Sequence, residues 1–237
     1  MPALIGVLGG MGPLAGVDLM QKMIKATAAR SDQEQIPVLC WNVPQVPDRQ
    51  RALAGTGTSP LPAMLAGVAV LNAAGATRIV IACNTAHYWF EQLAAASTAP
   101  LIHIADATLA ALPTSVCADT AVGLLGTRGT IDADLYQSRL AARGVTCIVN
   151  TKEEFERYFT PGCYAVKQGR IDAGAALLQQ AAQALLTRGA RHLLLACTEV
   201  PLALAHIASP LLPLSIDPTW ALAQECARYW HSTAHSE

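Results

Sequence analysis

The chain has 237 residues, 52% hydrophobic and only 14% charged, which is ample for a packed core and excludes the charge-rich composition of a disordered segment. Sixteen basic side chains against seventeen acidic ones leave a formal charge of -1, and the absence of a basic run or basic–aromatic stripe points away from nucleic acid. The uncharged stretches 2–17 and 52–77 lack the basic leader of a signal peptide and the uniformly apolar run of a membrane span, so a soluble, cytoplasmic protein with no membrane partner is expected.

In chain order, a short apolar strand is expected at 4–8. A helix follows over 13–30, with Pro13 suited to its first position and Val17, Met20, Ile24 and Ala28 at three- and four-residue spacing. Strands are expected at 38–41 and 78–82, then Cys83 and a helix running through Ala96. Further strands fall at 101–104, 121–125 and 146–150. A Leu- and Ala-rich helix at 171–188 precedes a strand at 192–196, Cys197, a helix start near Pro201 and a last strand at 212–216. Apolar strands alternating with helices predict α/β architecture with parallel sheets.

The chain also repeats itself. Ile5-Gly-Val-Leu-Gly9 is echoed by Val122-Gly-Leu-Leu-Gly126, and Gly75-Ala-Thr-Arg-Ile-Val-Ile-Ala-Cys83 by Gly189-Ala-Arg-His-Leu-Leu-Leu-Ala-Cys197. Ile104-Ala-Asp106 and Ile216-Asp217 form a weaker third echo in the same order. Two similar α/β lobes related by a pseudo-twofold axis are therefore expected, with the active site in the cleft between them. The first lobe spans 1–105, with a C-terminal helix at 218–237 packing back on it, and the second spans 106–217. Ligands of open parallel sheets sit outside the carboxyl ends of the strands, and Cys83 and Cys197 each follow such a strand.

Seven cysteines, an odd number with no C-x-x-C pair, argue against both a disulfide framework and a zinc knuckle. No metal is expected, since His103 and His206 lack ligand spacing. Two thiols at equivalent places suit one chemistry in particular. Inverting an α-carbon requires a base on one face and an acid on the other, one starting as thiolate and one as thiol. A helix N-terminus after each cysteine would favour the thiolate. Cys40, Cys117, Cys147, Cys163 and Cys226 lack this setting and read as core packing. His87 and Glu199 beside the pair either tune it or cap helices.

Gly9-Gly-Met-Gly-Pro13, Asn42-Val-Pro-Gln45 with Pro47-Asp-Arg49, Cys83-Asn-Thr-Ala-His87 and Cys197-Thr-Glu199 together resemble the aspartate/glutamate racemase superfamily, in particular its aspartate racemase branch, over essentially the whole chain. The resemblance implies Cys83 and Cys197 as the acid/base pair, no cofactor, a small acidic amino acid as substrate and a homodimer. It further implies substrate contacts from Met11, Gln45, Asn84, Thr85, Thr127, Thr198 and Glu199, with Arg49 and Lys167 binding carboxylates, the arginine by a bidentate fork. The surroundings of Lys167 match loosely, and on the sequence alone both cations are ordinary surface charges. Arg128 departs from a loop expected to be small and uncharged, and either enters the cleft or is solvated.

Other readings stay open. Hydantoin racemases and maleate isomerases of the same superfamily also use two cysteines. Gly10-Met-Gly-Pro-Leu-Ala15 fits a dinucleotide fingerprint, with Asp32 or Glu34 about twenty residues on, as a dinucleotide-binding oxidoreductase would have. A two-lobed amino-acid-binding protein gives no reason for paired thiols. Pyridoxal phosphate is disfavoured because none of the four lysines has a Schiff-base setting.

Overall fold

The computed structural model describes residues 3–234. All eight expected strands form, each two to four residues long. They are β1 (Ile5–Leu8), β2 (Val38–Trp41), β3 (Arg78–Ile81), β4 (Leu101–Ile102), β5 (Ala121–Leu124), β6 (Thr146–Val149), β7 (His192–Leu194) and β8 (Ser215–Ile216). The principal helices are α1 (Pro13–Thr27), α2 (Arg49–Leu53), α3 (Leu61–Ala73), α4 (Phe90–Ala95), α5 (Ile104–Ala110), α6 (Arg128–Asp132), α7 (Gln137–Ala141), α8 (Lys152–Glu154), α9 (Thr160–Lys167), α10 (Ile171–Thr187), α11 (Glu199–His206) and α12 (Pro218–Ala234).

Residues up to Ala107, together with those from Thr219 on, form one compact unit, and Thr108–Pro218 form a second. Each holds a four-stranded, wholly parallel sheet of the same order, β2-β1-β3-β4 and β6-β5-β7-β8. The central strand of each pairs on both sides: Ile5 with Val38 and Arg78, and Val122 with Cys147 and His192. β1 is buried along its whole length, as a strand covered on both faces must be. Leu8, Val68, Leu71 and Ile79 anchor the core of the first unit. Phe159, Leu178, Leu193 and Val200 anchor that of the second.

Where the strands are shorter than expected, local chemistry explains it. Residues 101–104 stop at Ile102 because Ile104 begins α5. Residues 212–216 begin only at Ser215 because Leu212–Leu214 form a 3-10 turn, and Pro213 has no N–H for a ladder. α1 ends three residues early at Ala28, which takes the left-handed conformation with φ 50°. The stretch after Cys83 splits into a 3-10 turn over Thr85–Trp89 followed by α4.

α12 is tied to the first unit. Lys22 Nζ donates to Thr219 Oγ1 at 2.6 Å, Trp230 Nε1 donates to the Glu34 carbonyl at 3.1 Å, and the Arg78 guanidinium lies 4.2 Å from the Tyr229 ring centre. Residues 235–237 of the expected terminal helix lie outside the described residues. No described helix is long and apolar enough to cross a membrane.

The turn out of β1 depends on one glycine. Gly10 has φ +84°, and a Cβ there would lie 2.2 Å from the Val43 carbonyl oxygen. A side chain is thus opposed both by the backbone conformation and by backbone atoms that cannot rotate away. Gly10→Ala is expected to cost about 3 kcal/mol, a fall of roughly 6–12 °C in thermal midpoint. A midpoint within 2 °C of wild type by calorimetry would show that the loop relaxes freely.

Candidate active site

In both sheets the chain leaves the first strand to build one neighbour and later returns to build the other. Crevices for ligands open at such reversals, at the carboxyl ends of the strands. In the first unit the reversal lies between β1 and β3, whose exits are Gly9–Met11 and Cys83–Thr85. In the second it lies between β5 and β7, whose exits are Leu125–Thr127 and Ala196–Thr198.

The crevice of the first unit is braced by Pro47-Asp48-Arg49. Asp48 caps α2, its Oδ1 accepting from the N–H groups of Gln50 at 2.8 Å and Arg51 at 3.0 Å. That start directs Gln50 Nε2 onto Thr85 Oγ1 at 3.1 Å. It also buries Arg49, whose Nη1 donates to the carbonyls of Val46 at 3.2 Å and Pro47 at 3.0 Å, and whose Nη2 donates to the Met11 carbonyl at 2.9 Å. Arg49 is therefore not the surface charge its sequence setting suggests. Its Nη atoms, expected as a fork for substrate, hold the β1 and β2 exit loops together. The Nε atom is buried without a hydrogen-bond partner among the described residues. Met11, Cys83, Asn84 and Thr85 are all buried beside these loops, whereas Gln45 is exposed.

His87 has both ring nitrogens engaged. Nε2 accepts from the Ile104 N–H at 3.1 Å, so the ring proton sits on Nδ1 and is donated to the Cys83 carbonyl at 2.9 Å. The neutral imidazole links the β3 exit to the first residue of α5, and His103 Nδ1 caps the same helix by accepting from Ala105 N–H at 3.1 Å. Of the two roles left open for His87, helix capping is the one the structure shows.

The crevice of the second unit holds a tighter polar cluster. The Cys197 thiol donates to Glu199 Oε2 at 3.0 Å, and Thr198 Oγ1 reaches the same oxygen at 3.3 Å. Lys167 Nζ is 3.9 Å from Glu199 Oε1 and lies over the Tyr164 ring at 5.5 Å. Cys163 Sγ touches Cys197 Sγ at 3.7 Å. The contact with Cys163, burial and the Glu199 carboxylate push the Cys197 thiol well above its ordinary value, while Lys167 pulls weakly the other way. This corrects the expectation that a following helix favours a thiolate there. α11 does begin at Glu199, but the carboxylate it brings and the neighbouring sulfur outweigh a partial dipole charge. Cys83 is not at an α-helix start at all, since a 3-10 turn follows it.

Cys163 is the member of this cluster that sequence reasoning missed by assigning it to core packing. The available signal was spacing: it lies four residues before Lys167, so α9 presents both on one face. Thr127 caps α6, accepting from Thr130 N–H at 3.2 Å. Arg128 is exposed, 4.9 Å from the Phe155 ring centre and 4.0 Å from Asp132 Oδ1, so its solvated reading holds.

The dinucleotide reading finds no support in this geometry. Asp32 and Glu34 are exposed in a 3-10 turn before β2, at the amino end of a strand parallel to β1, whereas the glycine loop leaves the carboxyl end. Glu34 is also bound by Arg30, through its N–H at 2.9 Å and Nη2 at 3.2 Å.

The chain is 28% identical over 225 residues to the broad specificity amino-acid racemase RacX of Bacillus subtilis (strain 168), covering 93% of this chain and 95% of that protein. It superposes on the Picrophilus torridus aspartate racemase with a TM-score of 0.83 at 26% identity, covering 97% of this chain and 94% of that one. The glutamate racemase isoform RacE1 of Bacillus anthracis shares the fold, with a TM-score of 0.67 at 19% identity over 98% of this chain and 82% of that one. The sequence pattern of Asp/Glu/Hydantoin racemase matches residues 8–226, and the chain belongs to that family of racemases.

Proposed function

We propose that this protein racemises acidic amino acids without a cofactor, with Cys83 and Cys197 acting on opposite faces of one α-carbon. The observation that carries this reading is equivalence: both thiols leave the third strand of a sheet beside its central strand, in two sheets of identical order. Cys197, whose proton the Cys163 contact, burial and the Glu199 carboxylate keep on sulfur, is assigned the acid, and Cys83 is assigned the base. Cys83 takes the α-proton, Cys197 delivers its own from the other side, and the two thiols exchange protonation states. The Cys197 thiolate that results lies against a carboxylate, and Lys167 offsets part of that repulsion. Backbone N–H groups of the Asn84–Thr85 and Thr198 turns and the Met11 loop are proposed to hold the α-carboxylate, stabilising charge as it grows. Seven free thiols fit a reducing cytosol as the place of work.

A second reading is a wider amino-acid range, as the name of the Bacillus subtilis relative states for that protein. One observation favours it: both cations expected to select a side-chain carboxylate have partners, Arg49 on backbone carbonyls and Lys167 beside Glu199. Chiral chromatography of L-aspartate, L-glutamate and a panel of neutral and basic amino acids in D2O separates the two. Turnover of the acidic pair alone supports the first reading. Equal turnover across the panel supports the second, and no α-deuterium in any of them sinks both.

Cys83→Ser and Cys197→Ser should each lower racemisation about 10³-fold or more in both directions, while still exchanging the α-hydrogen of one enantiomer. Undiminished activity in either variant rules out two-thiol catalysis.

The electrostatics give a signed test through the pH dependence of Cys197 alkylation by iodoacetamide. Glu199→Gln removes a charge that raises the thiol, so the profile should move to lower pH. Lys167→Met removes the charge that lowers it, so the profile should move to higher pH. Superimposable profiles would show that neither group governs the sulfur.

Arg49→Ala leaves three carbonyls of two exit loops without their donor. A loss of about 3 kcal/mol in unfolding free energy is expected alongside any rise in KM. A thermal midpoint equal to wild type with a raised KM would assign Arg49 to substrate alone.

A further inference from the structure

We propose that Cys163 and Cys197 close into a reversible disulfide under peroxide, withdrawing Cys197 from acid–base work. The loss of activity rests on the racemase reading above, whereas the bond itself does not.

The two sulfurs lie 3.7 Å apart, in van der Waals contact, and the residues are 5% and 4% exposed. A disulfide bond is about 2.05 Å long, so roughly 1.7 Å must be closed. Rotation about a single Cα–Cβ bond moves a sulfur by that much. Both cysteines belong to one closely packed core. Cys163 lies on α9, where a Cβ on Gly162 would meet Leu178 Cγ at 2.9 Å and one on Gly174 would meet Val166 Cγ2 at 2.5 Å, so α9 and α10 approach as closely as glycine permits. Cys197 lies between β7 and α11, in the same core as Phe159, Val166 and Leu178.

The chemistry balances with one equivalent of peroxide. One thiolate attacks an oxygen of hydrogen peroxide; the O–O bond breaks, an S–O bond forms, and the departing hydroxide takes up a proton to leave as water. The second thiolate attacks that sulfur; the S–S bond forms, the S–O bond breaks, and a second water leaves with the remaining thiol proton. Two sulfurs are oxidised by one electron each, and the peroxide is reduced by two. Burial and the neighbouring sulfur and carboxylate keep Cys197 mostly protonated near neutrality. Closure should therefore accelerate as pH rises from 7 to 9, by up to about tenfold per unit. Cys163 is the resolving partner: without it, oxidised Cys197 has no thiol beside it and passes to the sulfinic acid, which ordinary thiols do not reverse.

The test uses the full chain, treated with hydrogen peroxide, alkylated, digested without reduction and mapped by mass. Cys163 falls in tryptic peptide 158–167 and Cys197 in 192–228, which also carries Cys226, so fragmentation must place the bond. The expected result is a 163–197 link, with racemisation falling at least tenfold and returning with dithiothreitol. In Cys163→Ser the link is absent, and the activity lost on the same exposure does not return. Oxidation of Cys197 in wild type without a link to Cys163, or links only among other cysteines such as exposed Cys117, overturns the proposal. Mapping of wild type decides the matter even if the serine variant does not fold. A 163–197 link in a protein whose reduced form never racemised would leave the disulfide site standing and remove the racemase reading instead.

Discussion

Strands that all run the same way must all release the chain at the same edge of their sheet, and this constraint places the candidate functional residues of each unit. Every connection in both units returns to begin another parallel strand, so the carboxyl ends gather the loops while the amino ends receive the helices. Where the order reverses around the central strand, two exits lie side by side with no connection crossing between them. Gly9–Met11 and Cys83–Thr85 occupy one such place, and Leu125–Thr127 and Ala196–Thr198 the other. The glycine and cysteine motifs are far apart in sequence, yet the topology alone makes them neighbours within each unit.

The loops at these exits need bracing, and the two units achieve it with different chemistry. In the first, a buried guanidinium satisfies carbonyls from two loops, and the capping carboxylate of Asp48 aims it. A charged donor to a neutral carbonyl is worth about 1.5–3 kcal/mol, enough to offset the cost of holding a loop that has no sheet partner of its own. In the second, a buried carboxylate collects donors instead, from Cys197, Thr198 and the nearby Lys167. A carboxylate buried without those donors would be costly, so the cluster around Glu199 is one unit: changing any member changes what the others must satisfy.

Most of the fold was legible in the sequence because it rests on short-range signals. Apolar runs such as Ile5–Leu8, bounded by glycine and followed by an amphipathic helix, could only be buried parallel strands, and the internal echoes gave the same sheet twice. The positions of Cys83 and Cys197 followed from those echoes. What the sequence could not show was the third dimension of the site. Cys163 stands 34 residues before Cys197 on a helix of its own, and its four-residue spacing from Lys167 gives a shared helix face but not the contact with Cys197. Arg49 carries the motif expected of a substrate ligand, but only packing reveals that its Nη atoms are spent on the backbone. The sign of the Cys197 shift was lost for a related reason. A helix start can be read from Pro201 and its neighbours, whereas the Cys163 sulfur and the burial that override it come from packing.

Equivalent position does not bring equivalent chemistry. The residue four after Cys83 is His87, neutral and committed to a carbonyl and a helix cap, while the residue two after Cys197 is Glu199, which accepts the thiol proton itself. In the two-thiol reaction proposed above, a proton leaves one face of the substrate as another arrives on the opposite face. One side must hold a proton and the other must lack it. A duplicated sheet puts one sulfur at the same topological point of each unit, and divergence of the residues just beyond them gives the two sulfurs different surroundings. Glu199 therefore acts against the symmetry the repeat created: together with the Cys163 sulfur and burial it raises the Cys197 thiol, and the first unit has no carboxylate at the matching place. The same crowding that keeps the proton on Cys197 also sets a second sulfur against it.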